Sequence, residues 1–125
     1  MKVKIDKADK VFSEYIRLRD GKCVRCGRLG EGKQGIVGLQ CSHYYGRSRE
    51  SVRFDSENAD SLCFGCHQFW GSTDREAYRD FKLTQLGETL FNALRVRANT
   101  YQKKDRKMAH LYWSERLKEL KGGVL

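Results

Sequence analysis

Apolar residues recur at helical spacing near the N-terminus, where "KADKVFSEYIRLRDG" carries Val11, Phe12, Tyr15, Ile16 and Leu18. This spacing predicts an amphipathic helix over 6–21, with Gly21 as its C-terminal stop. The pattern then lapses. "CGRLGEGKQGIVG" is rich in glycine and charge, and predicts a knuckle followed by a loose loop. "IVGLQCSHYYG" is short, partly β-branched and aromatic, and predicts a strand or hairpin. "SVRFDSENADSLC" predicts a second short extended piece and a polar turn. From "GSTDREAYRDFKLTQL" onward helical spacing returns. Thr73 and Glu76 fit a T-x-x-E capping box, with Ser72 as a competing cap, and Gly87 separates this helix from "ETLFNALRVRAN". A last helix, about 104–120, sets Met108, Leu111, Tyr112, Leu117 and Leu120 near one face. The layout is α+β: one domain over 1–125, with an N-terminal helix (6–21), a cysteine-bounded ββ core (22–72) and a C-terminal helical region (73–121).

Composition narrows the class. At 125 residues with 33% charged side chains, the chain affords only a thin apolar core, which a metal staple would support. Lys and Arg total 25 against 16 acids, a net +9 spread along the whole chain, and such a surplus favours a nucleic-acid partner. No N-terminal stretch resembles a signal peptide, and no run approaches the ~20 apolar residues of a membrane span. The expected location is therefore a reducing cytoplasm, where five cysteines read as metal ligands before disulfides.

Cys23-Val24-Arg25-Cys26 and Cys63-Phe64-Gly65-Cys66 form two CxxC pairs. A two-residue gap lets both thiolates of a knuckle face one ion, and two knuckles complete a tetrahedral S4 site for structural zinc. A thioredoxin-like redox motif would need one reactive pair in a βαβ context, which the pattern lacks. Four cysteines fill zinc's tetrahedron, so Cys41 and His67 are left without a structural task.

Three histidines are present, and two of them, His43 and His67, bracket Asn58 inside the cysteine frame. A one-metal phosphodiesterase needs an imidazole that takes a proton from water. It also needs a divalent cation that neutralises charge on the phosphate, and a group that orients the base. His43 as base, Asn58 as a turn-fixing or base-orienting group, and His67 as metal ligand fill these roles. The bland alternatives are a core or surface His43, a turn-forming Asn58 and a His67 beside the zinc. His110, next to Leu111 and Tyr112, reads as packing or surface.

In "VFSEYIRLRDG", "CVRCG", "SHYYGRS" and "VRFDSENADSLCFGCH" the chain resembles the HNH, or ββα-metal, nuclease superfamily. More narrowly it resembles the NinG/Rap family of bacteriophage recombination proteins, over about residues 10–70. The resemblance implies a zinc-stapled ββα-metal core in a phage-encoded protein of the bacterial host cell. It implies a metal-dependent, structure-specific DNA endonuclease acting on branched recombination intermediates such as Holliday junctions or D-loops. His43 matches the general base, Asn58 the middle position and His67 the ligand of a catalytic Mg²⁺ or Mn²⁺; Cys23, Cys26, Cys63 and Cys66 match the zinc site. Two positions depart. Ser42 stands where many HNH enzymes have a metal-binding acid or histidine, and Gln40 where this family tends to have Asp. Cys41 and Ser42 are then the weaker ligand candidates near the base, with Asp55, Glu57 and Asp60 as the nearest acids.

Arg47, Arg49 and Arg53 follow the base and suit phosphate contact; Arg17 and Arg25 extend the track, and a solvated loop is the alternative. Tyr44, Tyr45, Phe69 and Trp70 read as core aromatics. Two other functions stay open: a non-catalytic zinc module that binds nucleic acid within a recombination complex, and a generic HNH nickase. Two cuts per junction would suit a homodimer built on the C-terminal helices.

Overall fold

The computed structural model describes residues 4–122. Helix α1 spans Lys7–Asp20. It starts where Asp6 accepts the N–H groups of Ala8 and Asp9 at 3.0 and 3.1 Å, while the Asp9 carboxylate accepts the Asp6 N–H at 2.9 Å. This reciprocal cap satisfies donors that the first helical turn cannot. At the other end Gly21, with φ 66°, turns its N–H back to the Arg17 carbonyl at 2.8 Å.

Strands β1 (Leu39–His43) and β2 (Ala59–Cys63) pair antiparallel, with Leu39 opposite Cys63 and His43 opposite Ala59. Helix α2 (Phe64–Gln68) leaves β2 directly and runs into a π-type turn over Phe69–Thr73. Helix α3 (Arg75–Ala98) follows, interrupted at Gly87, where φ 82° and ψ 162° suit only glycine. Helix α4 (Arg106–Leu120) closes the chain. The protein is thus a small α+β unit of four helices and one two-stranded sheet. No described helix is long and apolar enough to cross a membrane.

Two apolar clusters pack against the sheet. One joins Leu39, Tyr44, Leu62, Trp70, Tyr78 and Phe91, with Trp70 stacked on Tyr78 at 4.6 Å. The other joins Ala8, Phe12 and Ile16 of α1 to Phe54, Ala59 and Trp113 of α4. Phe12 and Trp113 meet edge-on at 5.0 Å. Burial of each such side chain contributes roughly 1.5–3 kcal/mol, so helices at opposite ends of the chain hold each other against β1 and β2.

Several local expectations change. The segment after Cys26 is not loose: Lys22 pairs with Leu29, and Glu31 and Val37 exchange both N–H···O bonds at 2.9 Å. Gly30 permits this closure, since a Cβ there would lie 2.0 Å from the Gly35 carbonyl oxygen. In the stretch 51–63 the extended piece is β2 at its end, preceded by two single 3-10 turns, Glu50–Val52 and Ser56–Asn58. Asp74 caps α3 through the Ala77 N–H at 3.0 Å, because Ser72 and Thr73 are absorbed by the π-type turn. In α4 the buried face is Trp113 and Leu117, whereas Met108, Leu111, Tyr112 and Leu120 are exposed.

Candidate metal centre and histidine pair

The first centre comes from the two cysteine knuckles. The Sγ atoms of Cys23, Cys26, Cys63 and Cys66 all lie within 4.8 Å of one another, and Cys26 and Cys63 are 3.8 Å apart. Four sulfurs at 2.3 Å from one tetrahedral zinc would stand about 3.8 Å apart, so the set fits a structural metal such as zinc. The Cys26 N–H points at Cys23 Sγ from 3.5 Å. The Arg25 guanidinium donates to Cys66 Sγ at 3.3 Å and lies over the Phe69 ring at 4.3 Å. Arg25 therefore faces the cysteine cluster, where its charge offsets that of the thiolates, while its side chain stays exposed.

His43 ends β1. Its Nε2 lies 2.9 Å from the Arg53 carbonyl, and its ring rests against Phe12 at 5.8 Å. A carbonyl only accepts, so Nε2 carries the proton and Nδ1 keeps a free lone pair. Burial, then the positive charge of Arg47, pushes the imidazole down to about 4, so it is neutral near pH 7. His67 has the opposite tautomer. Its Nδ1 lies 2.7 Å from Gln40 Oε1, so Nδ1–H donates and Nε2 is free. Burial and Arg47 hold this imidazole below its ordinary value as well. A ligating histidine ordinarily has its other N–H engaged in this way.

Strand alternation sets Gln40 and Ser42 on one face of β1 and Cys41 and His43 on the other. No hydrogen bond joins His43 to His67. What they share is Arg47, whose charge acts on both. Arg47 is half-buried and has no hydrogen-bond or ion-pair partner among the described residues.

Asn58 does not touch His43. It is fully buried, accepts the Tyr45 N–H at 2.8 Å and donates to the Tyr45 and Val52 carbonyls at 2.9 and 3.1 Å. It fixes the turn between the strands, and the group that orients His43 is the Arg53 carbonyl, which nothing local in the sequence marks.

Other candidates are engaged elsewhere. Ser42 is 2% exposed, and its Oγ lies 3.0 Å from Tyr78 Oη, so it is not free to hold an ion. Cys41 packs on the α1 side, where burial pushes its thiol up to about 12, and it stands outside the four-cysteine cluster. Asp60 is buried with Lys82 at 3.0 Å, while Asp55 and Glu57 both pair with Arg97, at 2.8 and 2.9 Å. No carboxylate therefore faces the histidines from this set. Among the described residues the four cysteines are the only group of three or more His, Cys, Asp or Glu side chains that could share an ion.

The arginine track shortens for the same reason. Arg53 is 4% exposed, its guanidinium clamped by Asp9, so it is not a DNA contact. Arg17 donates back to Ser13 in its own helix. Arg49 donates to the Ala98 carbonyl at 3.1 Å at the end of α3, and remains exposed. Tyr44 and Trp70 are buried, and Tyr45 and Phe69 pack beside them as core aromatics.

No match was found among curated proteins or among solved structures. The family model described as Bacteriophage Lambda NinG protein matches residues 2–122, nearly the whole chain, and the protein therefore belongs to the NinG family.

Proposed function

We propose that this protein is a metal-dependent, structure-specific DNA endonuclease of the HNH type, in which β1, β2 and α2 form a ββα-metal core. Branched recombination intermediates such as Holliday junctions are the substrate class this reading assigns. The observation that carries it is the His43 tautomer. A neutral imidazole with Nε2–H tied to a carbonyl presents Nδ1 as a general base for an attacking water. Arg47, unpaired beside both histidines, supplies positive charge for a scissile phosphate.

A divalent cation, Mg²⁺ or Mn²⁺, would neutralise charge on that phosphate. His67 Nε2 is this chain's free donor for it, with Gln40 holding the ring. One imidazole without a carboxylate is fewer protein ligands than a hard cation ordinarily takes. This same shortage supports the second reading, a non-catalytic zinc module that binds branched DNA within a recombination complex.

Cleavage of linear duplex, nicked and four-way junction DNA, with and without Mg²⁺ or Mn²⁺, separates the two. His43→Ala should keep zinc and fold and lose on the order of 10²–10⁴-fold in rate, with no rescue by added metal. His67→Ala should fall as severely but recover partly in excess Mn²⁺. Normal cleavage by both variants would refute the nuclease assignment, and loss of zinc by His67→Ala would move His67 to the structural site.

A further inference from the structure

Arg53 poses a question that phosphate binding does not answer: why a guanidinium is buried beside His43. Its Nε donates to Asp9 Oδ1 at 2.8 Å and its terminal nitrogen to Asp9 Oδ2 at 2.5 Å, a two-pronged ion pair across 44 residues of sequence. That second nitrogen also donates to the Lys4 carbonyl at 2.6 Å, and the other terminal nitrogen stands 3.8 Å from Glu50. Glu50 is held in turn by Arg106 of α4, which also reaches Asp6 at the start of α1. Burial opposes ionisation of Asp9, but Arg53 and the Asp6 N–H hold its carboxyl below the usual carboxylate range. The pair is therefore charged, and Arg53 cannot rotate without stranding a buried carboxylate.

The carbonyl of this same Arg53 receives His43 Nε2–H. Three residues along α1 from Asp9, Phe12 packs against the His43 ring. One turn of α1 thus touches the ring through Phe12 and fixes its acceptor through Asp9. We propose that Asp9 and Arg53 are positioning residues for His43: their ion pair sets the Arg53 carbonyl, and the carbonyl holds the imidazole in its Nε2–H tautomer with Nδ1 turned to the reaction. This rests on the reading of His43 as general base. It assigns α1, which lies outside the ββα unit, a part in that base.

The test reads the tautomer directly. Side-chain ¹⁵N spectra of the zinc-loaded, full-length protein should show His43 with a protonated Nε2 and an unprotonated Nδ1. In Asp9→Asn the two ring nitrogens should shift toward averaged positions while zinc content and circular dichroism hold. On junction DNA, kcat should fall by up to about 100-fold with KM little changed, the scale expected when a reacting group is misplaced by about 1 Å. Should Asp9→Asn fail to fold, Glu50→Gln loosens the clamp from its outer side and should shift the same signals in the same direction. A parent protein with the Nδ1–H tautomer overturns the proposal. So does a folded Asp9→Asn or Glu50→Gln variant with an unshifted tautomer and unchanged kcat. If the tautomer shifts as expected but even the parent cleaves no DNA, the clamp stands and the nuclease reading fails.

Discussion

Asp60→Asn separates a ligand from a structural ion. Asp60 and Lys82 are both fully buried and 3.0 Å apart. Asp60 also takes the Gln85 amide N–H at 3.0 Å and lies 3.0 Å from Tyr78 Oη. Lys82 also donates to the Glu57 carbonyl and to Gln85 Oε1, at 2.6 and 2.7 Å. Asparagine keeps the shape and removes the charge, which leaves an ammonium with only neutral acceptors. Breaking a buried pair by one partner costs about 3–5 kcal/mol. An upper bound follows from the lysine itself. Neutralising a group that ordinarily titrates near 10.4 costs about 1.4 kcal/mol for each pH unit below that value, or about 5 kcal/mol at pH 7. Burial already holds Lys82 below its ordinary value, with Asp60 pulling it back, so loss of Asp60 lowers it further. A folded-state value depressed below the unfolded one means that the unfolded chain binds more protons. The deficit is therefore greatest near neutrality and shrinks as pH rises toward 10.4. Urea unfolding of zinc-loaded protein at pH 7 and pH 9 should show a loss of about 3–5 kcal/mol at pH 7 that is smaller at pH 9. Adding Lys82→Met should recover part of it by removing the stranded charge. Junction cleavage well below the melting temperature should survive. A variant within about 1 kcal/mol of the parent, with a pH-independent deficit and no cleavage, would refute the structural role and return Asp60 to the metal.

Chelating the metal, or Cys63→Ser, should unfold the protein, because structural zinc supplies roughly 10–16 kcal/mol and a whole domain is stable by only about 5–15. Full thermal stability of a metal-free sample would contradict this. Arg47→Met should flatten the salt dependence of DNA binding by about one unit, whereas Arg53→Met should leave the slope unchanged and lower the unfolding temperature. A slope change in Arg53→Met alone would reverse those roles.

What was legible along the chain was local. The α1 boundaries, the two knuckles and the break at Gly87 depend on residues within a few positions of one another, and the structure has each in place. What depends on distant partners was not legible. Arg53 looks like its neighbours Arg47 and Arg49 until Asp9 is brought against it. The buried face of α4 is turned toward Trp113, which fits between Phe12 and Tyr15 at 5.0 and 4.9 Å, so that of the five apolar residues expected on one face only Leu117 is buried. The tautomers of His43 and His67 were invisible for the same reason, since each is set by an oxygen from another element, the Arg53 carbonyl and Gln40 Oε1.

The two histidines are held by different parts of the structure, one by the cysteine cluster and one by the terminal helices. His67 follows Cys66 within α2, so whatever fixes the four sulfurs fixes the backbone that carries it. His43 sits at the far end of β1, where it is steadied by α1, and α1 is steadied by Trp113 of α4. Disrupting the zinc site should therefore loosen His67 first, and disrupting the contact between α1 and α4 should loosen His43 first. Arg47 borders both and belongs to neither frame: it lies on the turn after β1 with no partner among the described residues. An unpaired, half-buried cation between two neutral imidazoles is electrostatically unfavourable until an anion arrives. An anion such as a phosphate bound at Arg47 would relieve that cost, which the salt dependence of the Arg47→Met variant tests.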